Sequence, residues 1–291
     1  MTPIRQLTVI GMGLIGSSLA QALRAAGAVE RVVAVGRDEA TPQRAVALGV
    51  ADEGSTDPAA AVAGADMVVI GVPLGAVRGV LAAIAEALPP EAVITDVGSV
   101  KGSVVADARA VFGELPPRFV PGHPVAGTER SGVEAGFAEL FRGRRVILTP
   151  AAETDSDALE RVRAMWAATG AETIEMDVAH HDRMLAATSH LPHLLAYGLV
   201  DTLGRWDASH EVFQYAAGGF RDFTRIASSD PVMWRDICLA NREALLETLA
   251  HYREDLEALT RQVCEADGEG LAEVFARAKA TRDEYRYVFE K

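Results

Sequence analysis

Between Leu7 and about Met176, short apolar runs alternate with stretches of helical periodicity. The runs are Leu7–Ile10, Arg31–Val35, Met67–Val72, Ala92–Asp96, Arg118–Val120, Arg145–Leu148 and Thr173–Met176. Most are rich in Val and Ile and bounded by Gly, Pro or Asp, as strands buried on both faces are. Ala-rich segments between them, such as Ser17–Ala26, Val77–Ala87 and Asp155–Thr169, read as crossover helices. Such alternation predicts an α/β fold built on a doubly wound parallel sheet. From Val178 to Glu290 the period is helical, strand-like runs are absent, and Pro192 and Pro231 are the only prolines. The expected organisation is therefore an α/β domain over residues 1–176 and an all-α domain over 177–291.

Composition narrows the class. The chain has 291 residues, 49% of them hydrophobic and 24% charged, which is globular usage. Asp66 interrupts the most apolar region, so no membrane span is expected, and Met1–Val9 runs into a strand pattern without a leader signature. Cys238 and Cys264 lie in helical sequence without metal-ligand spacing, so no disulfide framework is expected and a cytoplasmic setting follows. A net charge of −13 argues against nucleic acid or an anionic membrane as partner. An anionic substrate would need the few cations gathered at one site.

Gly11-Met12-Gly13-Leu14-Ile15-Gly16 directly follows the first strand and opens the first helix. Its glycines permit a tight turn, close approach of a pyrophosphate to backbone amides, and close helix–strand packing. This predicts a Rossmann-like dinucleotide site, to which Val72, Pro73 and Ser99 are expected to contribute. Cofactor choice depends on the end of the second strand, where an NAD enzyme usually carries an acid for the ribose hydroxyls. Here Gly36 and Arg37 stand there, with Arg44 further on, which leans towards NADP. In the other reading Arg37 is solvated and Asp38 reaches the ribose of NAD.

Four further motifs bear chemistry. Asp96-Val97-Gly98-Ser99-Val100-Lys101 puts Ser99 and Lys101 at a strand's carboxyl end, where open α/β sheets bind ligands, unless Asp96 and Lys101 simply form an ion pair. Gly122-His123-Pro124 places an imidazole at the next strand end. Ser189-His190-Leu191-Pro192-His193 sets two imidazoles on one helical face; no third ligand has a compelling spacing, so no metal is expected. Finally, Gly218-Gly219-Phe220-Arg221-Asp222-Phe223-Thr224-Arg225, running on to Trp234, reads as a carboxylate-binding patch or as a surface helix.

These motifs together, in this order, resemble the prephenate/arogenate dehydrogenase family of tyrosine biosynthesis, over about Leu7 to Tyr287. The resemblance implies a Rossmann-like domain followed by a helical dimerisation domain. It implies oxidative decarboxylation of prephenate to 4-hydroxyphenylpyruvate, or of arogenate to tyrosine, with hydride transfer to NAD(P). It further implies His123 and Ser99 as catalytic residues and Arg225 as the carboxylate clamp. His193, His190, Arg221 and Lys101 would stand on the substrate side, with Gly218 and Trp234 lining the pocket. Asp182, in His180-His181-Asp182-Arg183, is expected in an ion network with Arg221 and Arg225. The family's glycine triplet reads Ala217-Gly218-Gly219 here. A homodimer is expected from Leu194, Leu195, Leu199, Leu203, Leu245, Leu246 and Leu249 at helical spacing. Competing readings are a β-hydroxyacid dehydrogenase or imine reductase, disfavoured because Lys279 and Lys291 are the only lysines after Asp177, and a non-catalytic NAD(P)H sensor.

Overall fold

The structure, a computed structural model, describes residues 3–286. Strands β1 (Ile4–Ile10), β2 (Val29–Val35), β3 (Glu53–Ser55), β4 (Met67–Ile70), β5 (Val93–Asp96) and β6 (Phe119–Val120) form one sheet in the order β3-β2-β1-β4-β5-β6. All its pairings are parallel. The order reverses between β1 and β4, and ligands of open α/β sheets sit at such a reversal, beyond the carboxyl ends of the strands. Strands β7 (Gly122–Pro124), β8 (Arg145–Leu148) and β9 (Glu172–Glu175) form a second sheet, in which β7 runs antiparallel to β8 and β8 parallel to β9.

All seven apolar runs thus become strands, but the last two do not extend the parallel sheet. The chain leaves β6 through Pro121 and re-pairs at once as β7. Strands β3 and β7 had no apolar run to announce them: Glu-Gly-Ser and Gly-His-Pro are too short and too polar.

The connecting helices are α1 (Leu14–Ala25), α2 (Ala40–Ala47), α3 (Pro58–Val62), α4 (Val77–Ile84), α5 (Lys101–Phe112) and α6 (Ser156–Ala168). Strand alternation divides the core between the two faces of the parallel sheet. Leu7 and Val9 cluster with Leu19 and Leu23 of α1 and Val162 and Trp166 of α6, while Ile10, Val33, Val35 and Val68 cluster with Val62 and Ile84. Trp166 is fully buried, edge-on to Phe141 with ring centroids 5.1 Å apart.

Beyond β9 the described chain is helical: α7 (Val178–Leu185), α8 (Leu191–Gly204), α9 (Ser209–Gln214), α10 (Gly218–Thr224), α11 (Pro231–Ala240), α12 (Arg242–Cys264) and α13 (Gly268–Glu284). A single π turn, Ala186–His190, joins α7 to α8, and turns of this kind recur at functional sites. The chain forms two compact units, Met1–Arg242 and Glu243–Lys291, so α7 to α11 share a unit with both sheets. No described helix is long and apolar enough to cross a membrane.

Candidate active site

The glycine motif makes a cradle at the carboxyl end of β1. Gly11 has φ +101°, and a Cβ there would lie 2.4 Å from the Gly71 carbonyl oxygen beyond β4. A Cβ at Gly16 would meet the Gly11 oxygen at 2.5 Å and Val9 Cγ1 at 2.9 Å, so α1 can sit on β1 only with glycine there. A Cβ at Gly13 would meet nothing within 4 Å. One glycine makes the turn, one packs the helix, and one leaves open space above the backbone. Asp side chains cap α3, α6, α7, α11 and α13, whereas α1 starts from Gly13 with no side-chain cap. Its first amides and the helix dipole suit a pyrophosphate. The residues present fit a dinucleotide, with Met12 in the turn, Leu14 and Ile15 opening α1, and half-buried Val72 and Ser99 and exposed Pro73 just beyond neighbouring strand ends.

At the end of β2 the structure changes the meaning of Gly36. A Cβ there would stand 2.6 Å from Pro42 Cδ, so the packing of α2 alone excludes any larger residue. The missing acid therefore says less about a 2′-phosphate than the sequence implied. Arg44 is engaged by Glu134 at 2.7 Å. Asp38 accepts from the Thr41 amide at 3.4 Å. Arg37 is exposed and makes no ion pair among the described residues.

His123 lies on β7, 8% exposed, and its neighbours fix it from behind. Its Nδ1 is 2.9 Å from Nε2 of His181, and His181 Nδ1 is 2.7 Å from Asp182 Oδ1. Asp182 also accepts from the amides of Lys101 and Gly102, both at 2.8 Å, and so caps α5 from α7. Burial pushes the Asp182 carboxyl up, but the His181 hydrogen bond and these two amides hold it below its usual range. Burial, then His181, Lys101 and His190, keeps His123 well below the ordinary imidazole value. A neutral imidazole is thus ready to accept a proton beside the carboxyl end of β5, which β7 contacts.

Three expected roles are corrected. Lys101, expected to face substrate, is wholly buried, ion-paired to Asp96 and donating to the Gly122 carbonyl at 2.7 Å. Asp96 in turn accepts from the Gly98 and Gly122 amides, so this pair ties the Ser99 turn to the His123 strand. Asp182 belongs to His181 and α5; Arg225 pairs instead with Glu129, and Arg221 with its neighbour Asp222 at 3.5 Å. His190, expected beside the carboxylate, has no exposure. Its Nδ1 is 3.0 Å from Asn241 Nδ2, and burial lowers it to about 4 despite Asp182.

His193 stacks on Trp234 with centroids 3.5 Å apart. Its Nδ1 lies 2.8 Å from the Ser189 carbonyl and so carries the hydrogen, and burial lowers its pKa. In the neutral ring Nε2 is then an acceptor. Exposed Arg225 stands in the tight turn Arg225–Ser228, which packs on α8 and is pinned by Tyr197 Oη donating to Ser229 O at 2.6 Å. Trp234 and Ile237 pack on Val100 beside Leu74, which seats α11 over the ends of β4 and β5. Gly218 and Arg221 lie exposed on α10, which packs on α8. Among the described residues no three His, Cys, Asp or Glu side chains converge as metal ligands. Sequence reasoning missed His181, Asn241 and Glu129. Only His181 had a signal, its adjacency to Asp182 at the start of a helix.

Comparison with known proteins agrees with this geometry. The family model for the prephenate dehydrogenase nucleotide-binding domain matches residues 19–175, and that for the prephenate dehydrogenase dimerization domain matches 177–277. The chain is 41% identical to the cyclohexadienyl dehydrogenase of Zymomonas mobilis over 97% of its own length and 96% of the relative's. It is 36% identical to the prephenate dehydrogenase of Bacillus subtilis, covering 95% and 75% respectively. The crystal structure of prephenate dehydrogenase from Aquifex aeolicus with hydroxyphenyl propionate and NAD+ superposes with a TM-score of 0.89 at 36% identity, over 97% and 98% of the two chains. Its two-part match along nearly the whole length makes this chain a member of the prephenate dehydrogenase family.

Proposed function

We propose that the chain oxidatively decarboxylates prephenate or arogenate, yielding 4-hydroxyphenylpyruvate or tyrosine. The observation that carries this reading is neutral, buried His123, held from behind by His181 and Asp182 on β7, a strand that Gly122 sets against Asp96 at the carboxyl end of β5 in the parallel sheet whose β1 carries the glycine cradle. The ring hydroxyl needs an acceptor for its proton, which His123 supplies, while Ser99 orients the hydroxyl or the imidazole. Arg225 exchanges Glu129 for a substrate carboxylate, and the His193–Trp234 stack forms a wall. A bound nicotinamide would supply the hydride acceptor. Carbon dioxide leaves readily because its loss completes an aromatic ring, so positioning is the chief task of the protein.

Between the two cofactors we favour NADP, on the exposed guanidinium of Arg37 at the end of β2. The working form is a homodimer, because most exposed large hydrophobics among the described residues, Leu199, Leu246, Leu256, Val263 and Phe275 among them, lie in the helical half. Leu245 is not available for that face, being already buried within the chain. Steady-state kinetics with both ring substrates and both cofactors, read by the absorbance of reduced nicotinamide, tests the reading. Turnover of neither substrate refutes it. A higher kcat/KM with NAD refutes the cofactor choice.

A further inference from the structure

We propose that His181 is a positioning residue and proton store, so that the proton His123 takes from the substrate hydroxyl is passed on to His181 and held against Asp182. The inference rests on the base role given to His123 above and adds where the proton resides.

The chain of hydrogen bonds has one direction. The Asp182 carboxylate can only accept, so His181 Nδ1, 2.7 Å away, carries a hydrogen. In neutral His181 the lone pair is then on Nε2. That nitrogen lies 2.9 Å from His123 Nδ1, which must therefore carry the next hydrogen. His123 Nε2 is left with its lone pair free for substrate. The Asp182 end is rigid, because the same carboxylate is fixed by two amides of α5. His181 has no exposure, so no water replaces either partner.

The charges around the pair favour the transfer. Burial and His181 itself lower the proton affinity of His123, and so do the buried ammonium of Lys101 on α5 and the imidazole of His190 on the π turn. Asp96 offsets the Lys101 charge, but from the Lys101 side. His181 instead touches a carboxylate directly. An imidazolium is therefore better placed on His181 than on His123.

The reaction balances without another reagent. The hydroxyl proton goes to His123 Nε2 while the Nδ1 hydrogen moves to His181 Nε2, making His181 an imidazolium beside Asp182. A bound nicotinamide would accept the C4 hydrogen with its electron pair. The C1–carboxylate bond breaks, its electrons complete the ring, and carbon dioxide leaves. The phenolate oxygen then regains the proton by the same path, and both imidazoles return to neutrality.

Two measurements test this. Nitrogen-15 NMR of the resting protein at neutral pH should show His123 protonated on Nδ1; the Nε2–H tautomer overturns the proposal whatever the variants do. Kinetics of His181→Gln, which can still accept from His123 but cannot hold a proton, should show kcat reduced roughly tenfold or more. KM and cofactor affinity should stay within about twofold. The acid limb of kcat/KM should move to lower pH, since the pair is more basic than His123 alone. A neighbour that merely repelled charge on His123 would move that limb upward on removal. Proton inventories in mixed light and heavy water should be bowed in the wild type and linear in the variant. A linear wild-type inventory, or an unchanged acid limb in a folded variant, overturns the relay. Failure of the wild type to turn over either ring substrate sinks the functional reading instead and leaves the tautomer result standing.

Discussion

The buried Lys101–Asp96 pair gives the sharpest prediction about this fold. Lys101→Met keeps most of the side-chain volume and removes the ammonium from a site where the two partners are 0% and 1% exposed. The substitution leaves Asp96 as a buried carboxylate supported only by the amides of Gly98 and Gly122, at 2.8 and 3.1 Å. It also strips the Gly122 carbonyl of its donor at 2.7 Å. Breaking a buried pair by removing one partner costs about 3–5 kcal/mol. For a unit of this size each kcal/mol lowers Tm by about 2–4 °C, so a fall on the order of 10 °C is expected in a thermal melt. Asp96→Asn combined with Lys101→Met should recover a large part of the loss, because no unpaired charge then remains. The two readings of Lys101 are separated by the same variant. A cation facing substrate would raise KM and leave Tm alone. An unchanged Tm with a tenfold higher KM would refute the structural pair.

The other expectations concern the site, acid stability and assembly. His123→Asn should lower kcat roughly 10²–10⁴-fold while sparing cofactor affinity, which a fluorescence titration with reduced cofactor checks. Arg225→Ala should raise KM for the ring substrate at least tenfold, in line with about 2 kcal/mol for a charge-assisted contact. His190 titrates near 4 when folded against an ordinary 6.5, so below pH 6.5 the unfolded chain binds a proton that the native chain refuses. Stability is therefore full above 6.5 and falls as pH drops towards 4, by on the order of 3 kcal/mol over that window. Denaturant midpoints at several pH values should show this slope, and His190→Gln should flatten it. Light scattering at micromolar concentration should give twice the chain mass; a monomer would contradict the proposed dimer.

The α/β half was legible because Val- and Ile-rich runs such as Met67–Ile70 and Val93–Asp96 are buried on both faces, and burial writes itself into sequence as continuous apolarity. The glycine motif was legible because each of its glycines answers a separate steric demand. Strand β7 was hidden, since Gly-His-Pro pairs with β8 by backbone bonds that need no apolar signature. Gly36 could be seen but not understood, because what excludes a side chain there is Pro42, six positions along and on another element. The cations were the least legible. The Lys101–Asp96 pair, 5 residues apart, stood only as the alternative reading of its motif, and the carboxylate of Asp182, whose amide partner lies 81 residues away, had no local signal for where it docks. The second histidine escaped because an imidazole acting through another leaves no motif of its own.

Asp182 gives this architecture a built-in assembly check. The same carboxylate that orients His181 also closes the first turn of α5, so one contact serves both helix capping and alignment of the base. A chain whose α7 has not docked still has its glycine cradle, formed by β1, α1 and β4 alone. Such a half-assembled molecule retains the means to hold a dinucleotide but lacks an oriented acceptor for the hydroxyl proton. Competence for turnover therefore requires that α7 be docked on α5.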